Sequence, residues 1–310
     1  MSIGAGPSMS NFPYGFSNGA LVRGVTVQPS TPGKVLWVYN GAQLAPQGRA
    51  GSDGNSGSFD SPKATIAGAL LQCAAGRGDV IYVKSGHVEA LTAAAAINLN
   101  VSGVSIIGLG AGGSRPTLNF TTSTAATLLV SAADCSLVNF NVNMVGITAL
   151  ASPIAVQAST FLFANNYCLI SVATAGPTLG ISATAAASGL VVDGNVVEGT
   201  GTGTSTAFVQ LVGGDNIQIS NNYIAGAFGV GTGPISNITT ATTNLRILNN
   251  VLLNNTASST KVVTAVAGTS GLIGDNRAGI LSGTAPFTAA GMYWTLNYYG
   301  ATTGSIGLVQ

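Results

Sequence analysis

Charge is what this sequence has least of. Asp, Glu, Lys and Arg make up only 6% of its 310 residues, against roughly a quarter in an average soluble domain. No Lys or Arg occurs between Arg115 and Arg246, so that segment cannot build a phosphate-binding surface. A net charge of +1 gives no field to draw in nucleic acid or an acidic membrane, and neither is expected as a partner. There is one histidine, His87, and there are three cysteines, Cys73, Cys135 and Cys168. Their odd count and wide spacing match no metal motif, so buried free thiols are expected, with a disulfide pair as the alternative. The opening "MSIGAGPSMSNFPYG" has neither the basic nor the apolar region of a secretion signal, and no run of about 18 uninterrupted apolar residues occurs. Synthesis in a cytoplasm is the expectation. A surface this short of charge is poorly soluble as a free monomer, which points to a homotrimer or larger assembly.

What is present is repetition. The stretch "NLRILNNVLLNN" (244–255) sets asparagine pairs among alternating aliphatics, although asparagine is a poor strand former. The same pattern, apolar-x-apolar-x-(Asn/Gly/Asp)-Asn-x-apolar, recurs at Asn166, Asn195, Asn222, Asn250 and Asn276, at intervals of 29, 27, 28 and 26 residues. Weaker copies lie around Asn141 and Gly108. The period is too short for propeller blades, and the leucine consensus of a leucine-rich repeat is absent. The reading is all-β: a parallel β-helix with coils of about 25–29 residues, stacked about 4.8 Å apart. The five asparagines are then structural corners. Asn tolerates the left-handed backbone of a sharp turn, and stacked amides can bond along the stack.

Outside the repeat the chain changes character. Ser61 as N-cap, Pro62 in the first turn, and Ile66, Ala69, Leu70 and Cys73 on one face predict a short capping helix over 61–75, stopped by Gly76. It lies in an opening segment, 46–100, ahead of the β-helix body, 101–285. Residues 1–45 carry Phe12, Tyr14, Phe16, Trp37 and Tyr39 among prolines and glycines and read as a docking arm. Residues 286–310 concentrate Trp294, Tyr293, Tyr298 and Tyr299 and read as a C-terminal cap or subunit contact.

The stretch "GSDGNSGSFDSPKATIAGALLQCAAGRGDVIYVKSGHVEA", followed by "VSIIGLGAGGSRPTLNF", resembles the opening of pectin-lyase-like, right-handed parallel β-helix proteins, especially those of bacteriophage virions. The resemblance spans about residues 50–285. It implies a non-enzymatic virion structural protein made in the host cytoplasm. Such a protein would decorate or cement the capsid through its N-terminal arm, with the major capsid protein or another virion protein as partner. The alternative it leaves is a tail-spike or receptor-binding β-helix that binds or cleaves host polysaccharide.

Candidate chemistry is sparse, and neither cofactor nor metal site is expected. "GLGAGG" (108–113) has dinucleotide-motif spacing, but "SRPTLNF" follows it and cannot open the helix a pyrophosphate needs. Past residue 90 the acids are Asp134, Asp193, Glu198, Asp215 and Asp275. Glycoside hydrolysis needs two nearby carboxylates, and only Asp193 and Glu198, astride one corner, form a possible catalytic pair. His87, near Glu89, reads as a loop residue after the first strand.

Overall fold

The computed structural model describes residues 20–22, 25–27, 33–41, 50–145, 147–171, 176–199, 205–282, 285–289, 291–301 and 306–309. They form the expected parallel β-helix, with three long sheets running its length. The first sheet has ten parallel strands, from Val35–Val38 and Val80–Val83 to Met292–Thr295. The second also has ten. It starts at Val88–Leu91, runs in parallel to Asn297–Ala301, and ends with Ile306–Val309, which joins antiparallel. The third has eight strands, from Ile97–Leu99 to Phe287–Ala289.

Alternation of side chains turns one face of every strand inward. Leu36, Ile81, Ile106, Leu137, Phe163, Val192, Ile219, Ile247 and Ile273 stack in register beneath the first sheet. Leu118, Val142, Cys168, Val197, Ile224 and Leu252 stack beneath the second. All of these are buried. Cys135 and Cys168 are buried and Cys73 is half-buried; all three are free thiols. Burial pushes the thiols of Cys168 and Cys135 up from their usual range.

The corner between the first and second sheets divides its work between two positions. The residue before each ladder asparagine takes the left-handed conformation: Asn165 (φ 55°), Gly194 (64°), Asn221 (57°), Asn249 (56°), Asp275 (56°) and Leu296 (33°). The asparagine itself is buried and points its amide along the stack. Asn195 Oδ1 accepts from the backbone N–H and the Nδ2 of Asn166, at 2.9 and 3.2 Å. The same two bonds link Asn195 to Asn222, Asn222 to Asn250, Asn250 to Asn276, and Asn276 to Asn297. Each ladder Nδ2 also donates to a carbonyl of the preceding rung, such as Val192 O from Asn222 (2.9 Å). The left-handed requirement therefore falls on the partner residue and not on the five asparagines to which the sequence reading assigned it.

One copy of the repeat also moves, and one was missed. Asn141 pairs with Tyr167, which places it on the strand after the corner. The corner position is Phe140, whose N–H donates to Asn166 Oδ1 (2.9 Å) and closes the ladder. Asn297, only 21 residues beyond Asn276, is a ladder member that the repeat spacing missed.

The helix expected over 61–75 forms only at Ile66–Leu70, α1. Its N-cap is Thr65, whose hydroxyl accepts from the Gly68 N–H (2.9 Å), and not Ser61. Tertiary pairing overrides the local signal. Lys63 exchanges backbone hydrogen bonds with the first strand, donating to Trp37 O and accepting, through its own carbonyl, from Tyr39 N–H (both 2.8 Å). The Asp53 carboxylate holds the N–H groups of Ala64 and Thr65 (3.0 and 2.9 Å).

The strand Val35–Val38, inside the segment read as an arm, is the first rung of the first sheet, in register with Val80–Val83. Trp37 lies against Tyr82 and Phe59, with ring centroids 5.2 and 4.9 Å away. Tyr39 follows on the same segment, half-buried. Phe12, Tyr14 and Phe16 lie outside the described residues. At the other end Trp294 packs on Phe287 at 5.6 Å, while Tyr293 is 80% exposed.

Candidate functional site

A groove of about 570 Å³ lies on the outer face of the second sheet. Register builds its floor. Thr117, Asn141, Tyr167 and Val196 align across four rungs, and Asn119, Asn143, Leu169 and Glu198 align beside them. Alternation that sends Leu118, Val142, Cys168 and Val197 into the core turns these residues outward.

One wall is the loop that the "GLGAGG" stretch forms. Gly110 has φ 113°, and Gly112–Ser114 is a single 3₁₀ turn that contributes Gly112 and Gly113 to the groove. The Ser114 hydroxyl donates to Ala111 O (2.7 Å), and the Ser114 carbonyl accepts from Gly86 N–H (2.9 Å) and the Ser85 hydroxyl (2.8 Å). These bonds fix the loop against the preceding rung. Arg115 leaves the loop beside the groove.

Most polar groups on this floor are spoken for. Tyr167 Oη donates to Glu198 Oε2 (2.8 Å), and that bond pushes the Tyr167 phenol up from its usual range. Asn143 Nδ2 donates to Asn119 Oδ1 (3.0 Å), and Asn141 Nδ2 to Gly112 O (3.3 Å). Two buried atoms are not satisfied: Arg115 Nε and Asn143 Oδ1 have no hydrogen-bond partner among the described residues. Both atoms are shielded from the groove, whose surface is an apolar strip of Leu169, Val196 and the Tyr167 ring.

Asp193 and Glu198 stand on different sheets, on either side of the Gly194–Asn195 corner. Asp193 Oδ1 accepts from the Ser220 hydroxyl (2.6 Å) and Asn221 Nδ2 (2.8 Å), away from the groove. Glu198 alone of the two meets a groove residue, Tyr167. Other acids act alike. Asp134 accepts from the Thr160 hydroxyl (2.5 Å). Asp215 accepts from Thr243 (2.5 Å) and Asn244 (2.9 Å) of the next rung, and these bonds hold its carboxyl below the usual range.

His87 lies in the loop after Val80–Val83, as expected, and is fully buried there. Its Nδ1 accepts from Asn40 N–H (3.2 Å), so the proton sits on Nε2, which faces Glu89 Oε2 at 3.0 Å. Glu89 in turn accepts from the Ile66 N–H at the start of α1 (3.0 Å). This network seals the N-terminal end of the core. No group of three or more His, Cys, Asp or Glu able to hold a metal occurs among the described residues, and no described helix is long and apolar enough to cross a membrane.

No family model and no curated protein match this chain. Solved structures do. A rhamnogalacturonan lyase matches at 15% identity and a TM-score of 0.42, over 80% of this chain and 74% of that one. A GH136 lacto-N-biosidase from Eubacterium ramulus matches at 10% and 0.35, over 86% of this chain and 67% of that one. ORF18 of Geobacillus virus E2 matches at 12% and 0.32, over 78% and 59%.

Proposed function

We propose that this chain is a non-enzymatic structural protein of a bacteriophage virion, a homotrimeric β-helix that decorates the capsid and attaches through its N-terminal segment. The observation that carries the reading is how the body uses its few charges. Asp134, Asp193, Glu198 and Asp215 each bond a hydroxyl or amide on a neighbouring rung. A carboxylate used this way is a staple between coils and not one of two convergent acids of a hydrolytic site. A neutral, rigid, self-closed rod suits a particle surface, where durability matters more than turnover.

The test is labelling of purified particles from a strain carrying the gene, with gold-conjugated antibody raised against the chain. Label distributed over the capsid shell is the expected result. Label only in the soluble lysate overturns the virion assignment. A second reading, a receptor-binding β-helix, is favoured by the open groove on the second sheet. It predicts label confined to the tail.

A further inference from the structure

We infer that the corner of the last two rungs, where Tyr293, Leu296 and Tyr298 stand beside Asp275 and Arg277, is the contact through which copies of this chain join. The inference rests on the trimer of the reading above and not on where that trimer sits in a particle.

Three large apolar side chains are exposed within six residues: Tyr293 (80%), Leu296 (53%) and Tyr298 (46%). Tyr293 points outward from the first sheet, in register with Leu272, and Tyr298 outward from the second, in register with Arg277. Leu296 lies between them on the corner. Exposed apolar residues clustered in this way mark an interaction surface, whereas scattered ones do not. Tyr223, also exposed, stands three rungs earlier in the row of Tyr298, so the surface continues along the rod for about 14 Å at 4.8 Å per rung.

Backbone conformation marks the same spot. Leu296 takes the left-handed conformation (φ 33°) at a corner position held elsewhere by Asn, Gly or Asp. A leucine is unfavourable there, and within one chain its side chain stays largely in solvent. A subunit contact supplies a use for it.

Charge says what covers the surface. Asp134, Asp193, Glu198 and Asp215 each bond a neighbouring rung. Asp275 and Arg277, exposed on either side of Asn276, have no side-chain partner among the described residues. One free acid and one free base on a single surface make it complementary to another copy of itself. The surface wraps a corner, so the first-sheet side of one copy can meet the second-sheet side of the next. Such a head-to-tail contact closes into a ring, with Asp275 of each copy facing Arg277 of its neighbour.

The experiment is light scattering during size-exclusion chromatography of the full chain, Tyr293→Asp, Asp275→Lys, Arg277→Glu and the double variant Asp275→Lys with Arg277→Glu. The parent should run at three times its 30.6 kDa and each single variant at 30.6 kDa. The double variant should return to the trimer, because exchanging both signs restores the attraction. The altered side chains are exposed, so far-ultraviolet dichroism should match the parent throughout, which separates lost assembly from lost folding. Recovery in the double variant would also show that the corner accepts the substitution at Asp275. A monomeric parent overturns the trimer and this contact together. A trimeric parent whose variants all remain trimers, or whose double variant stays monomeric, overturns the contact alone.

Discussion

At the residue scale, the asparagine pair resolves into two different requirements. Asn221 answers a backbone demand, φ 57°, which glycine meets equally well. Asn222 answers a hydrogen-bond demand: its Oδ1 accepts from Asn195, and its Nδ2 donates to Val192 O and Asn250 Oδ1. Asn222→Leu should therefore lower stability by about 2–4 kcal/mol, since it strands several buried partners at once. Asn221→Gly should change it by no more than about 1 kcal/mol. Urea denaturation midpoints compare the two, and equal losses would contradict the division. The pairs were legible in the sequence, but their division of labour was not read from it. The signal was there: the first position varies among Asn, Gly, Asp and Leu, while the second is Asn from Asn166 to Asn297. Asn297 escaped because 21 residues is shorter than the other intervals.

At the element scale, the opening segment shows local propensity giving way to contacts made across the fold. Ser61 and Pro62 carry the signature of a helix start, yet they precede a segment pinned to the first strand, and the helix waits for Thr65. Thr65→Ala should lower stability by about 1 kcal/mol through the lost cap, whereas Ser61→Ala should leave the melting temperature unchanged. Asp79 anchors the turn after α1. It is paired with Arg77 (2.6 and 2.7 Å) and accepts from the N–H groups of Ala74 (2.8 Å) and Lys34 (2.6 Å). The Arg77 guanidinium is the main cause that holds its carboxyl down at about 2, against an ordinary value of 3.8. A depressed carboxylate contributes stability above its unfolded value and loses it as pH falls through the folded one. The melting temperature should thus drop between about pH 4 and pH 2, and Asp79→Asn should flatten that part of the profile. A slope unchanged in the variant would remove Asp79 from the acid response. The groove was not legible, because its parts, from Gly112 to Val196, become neighbours only through rung register.

For the whole molecule, period and composition were enough to specify a stack of parallel coils. The first strand lies earlier than the repeat suggested, since Val35–Val38 pairs with Val80–Val83 although the residues between them carry no corner motif. Among the described residues, the strands Ala20–Val22 and Val25–Val27 pair only with each other. Deleting residues 1–30 should therefore leave the far-ultraviolet dichroism and the melting temperature close to those of the parent. A truncated chain that aggregates on expression would show that this segment shields the first coil. Light scattering of the full chain should give about three times its 30.6 kDa, and a stable monomer at high concentration would rule out the trimer. The ladder has one more consequence. The linked corners lie 26, 29, 27, 28, 26 and 21 residues apart along the chain, yet the same backbone-to-amide bond joins each to the next, and a second amide bond joins all but the first. The corner works like the return at the end of a typed line: however long the line, the next begins at the same margin. Insertions and deletions elsewhere in a coil are thus not inherited by the coils after it, and such a rod can gain or lose loops over evolutionary time without losing its alignment.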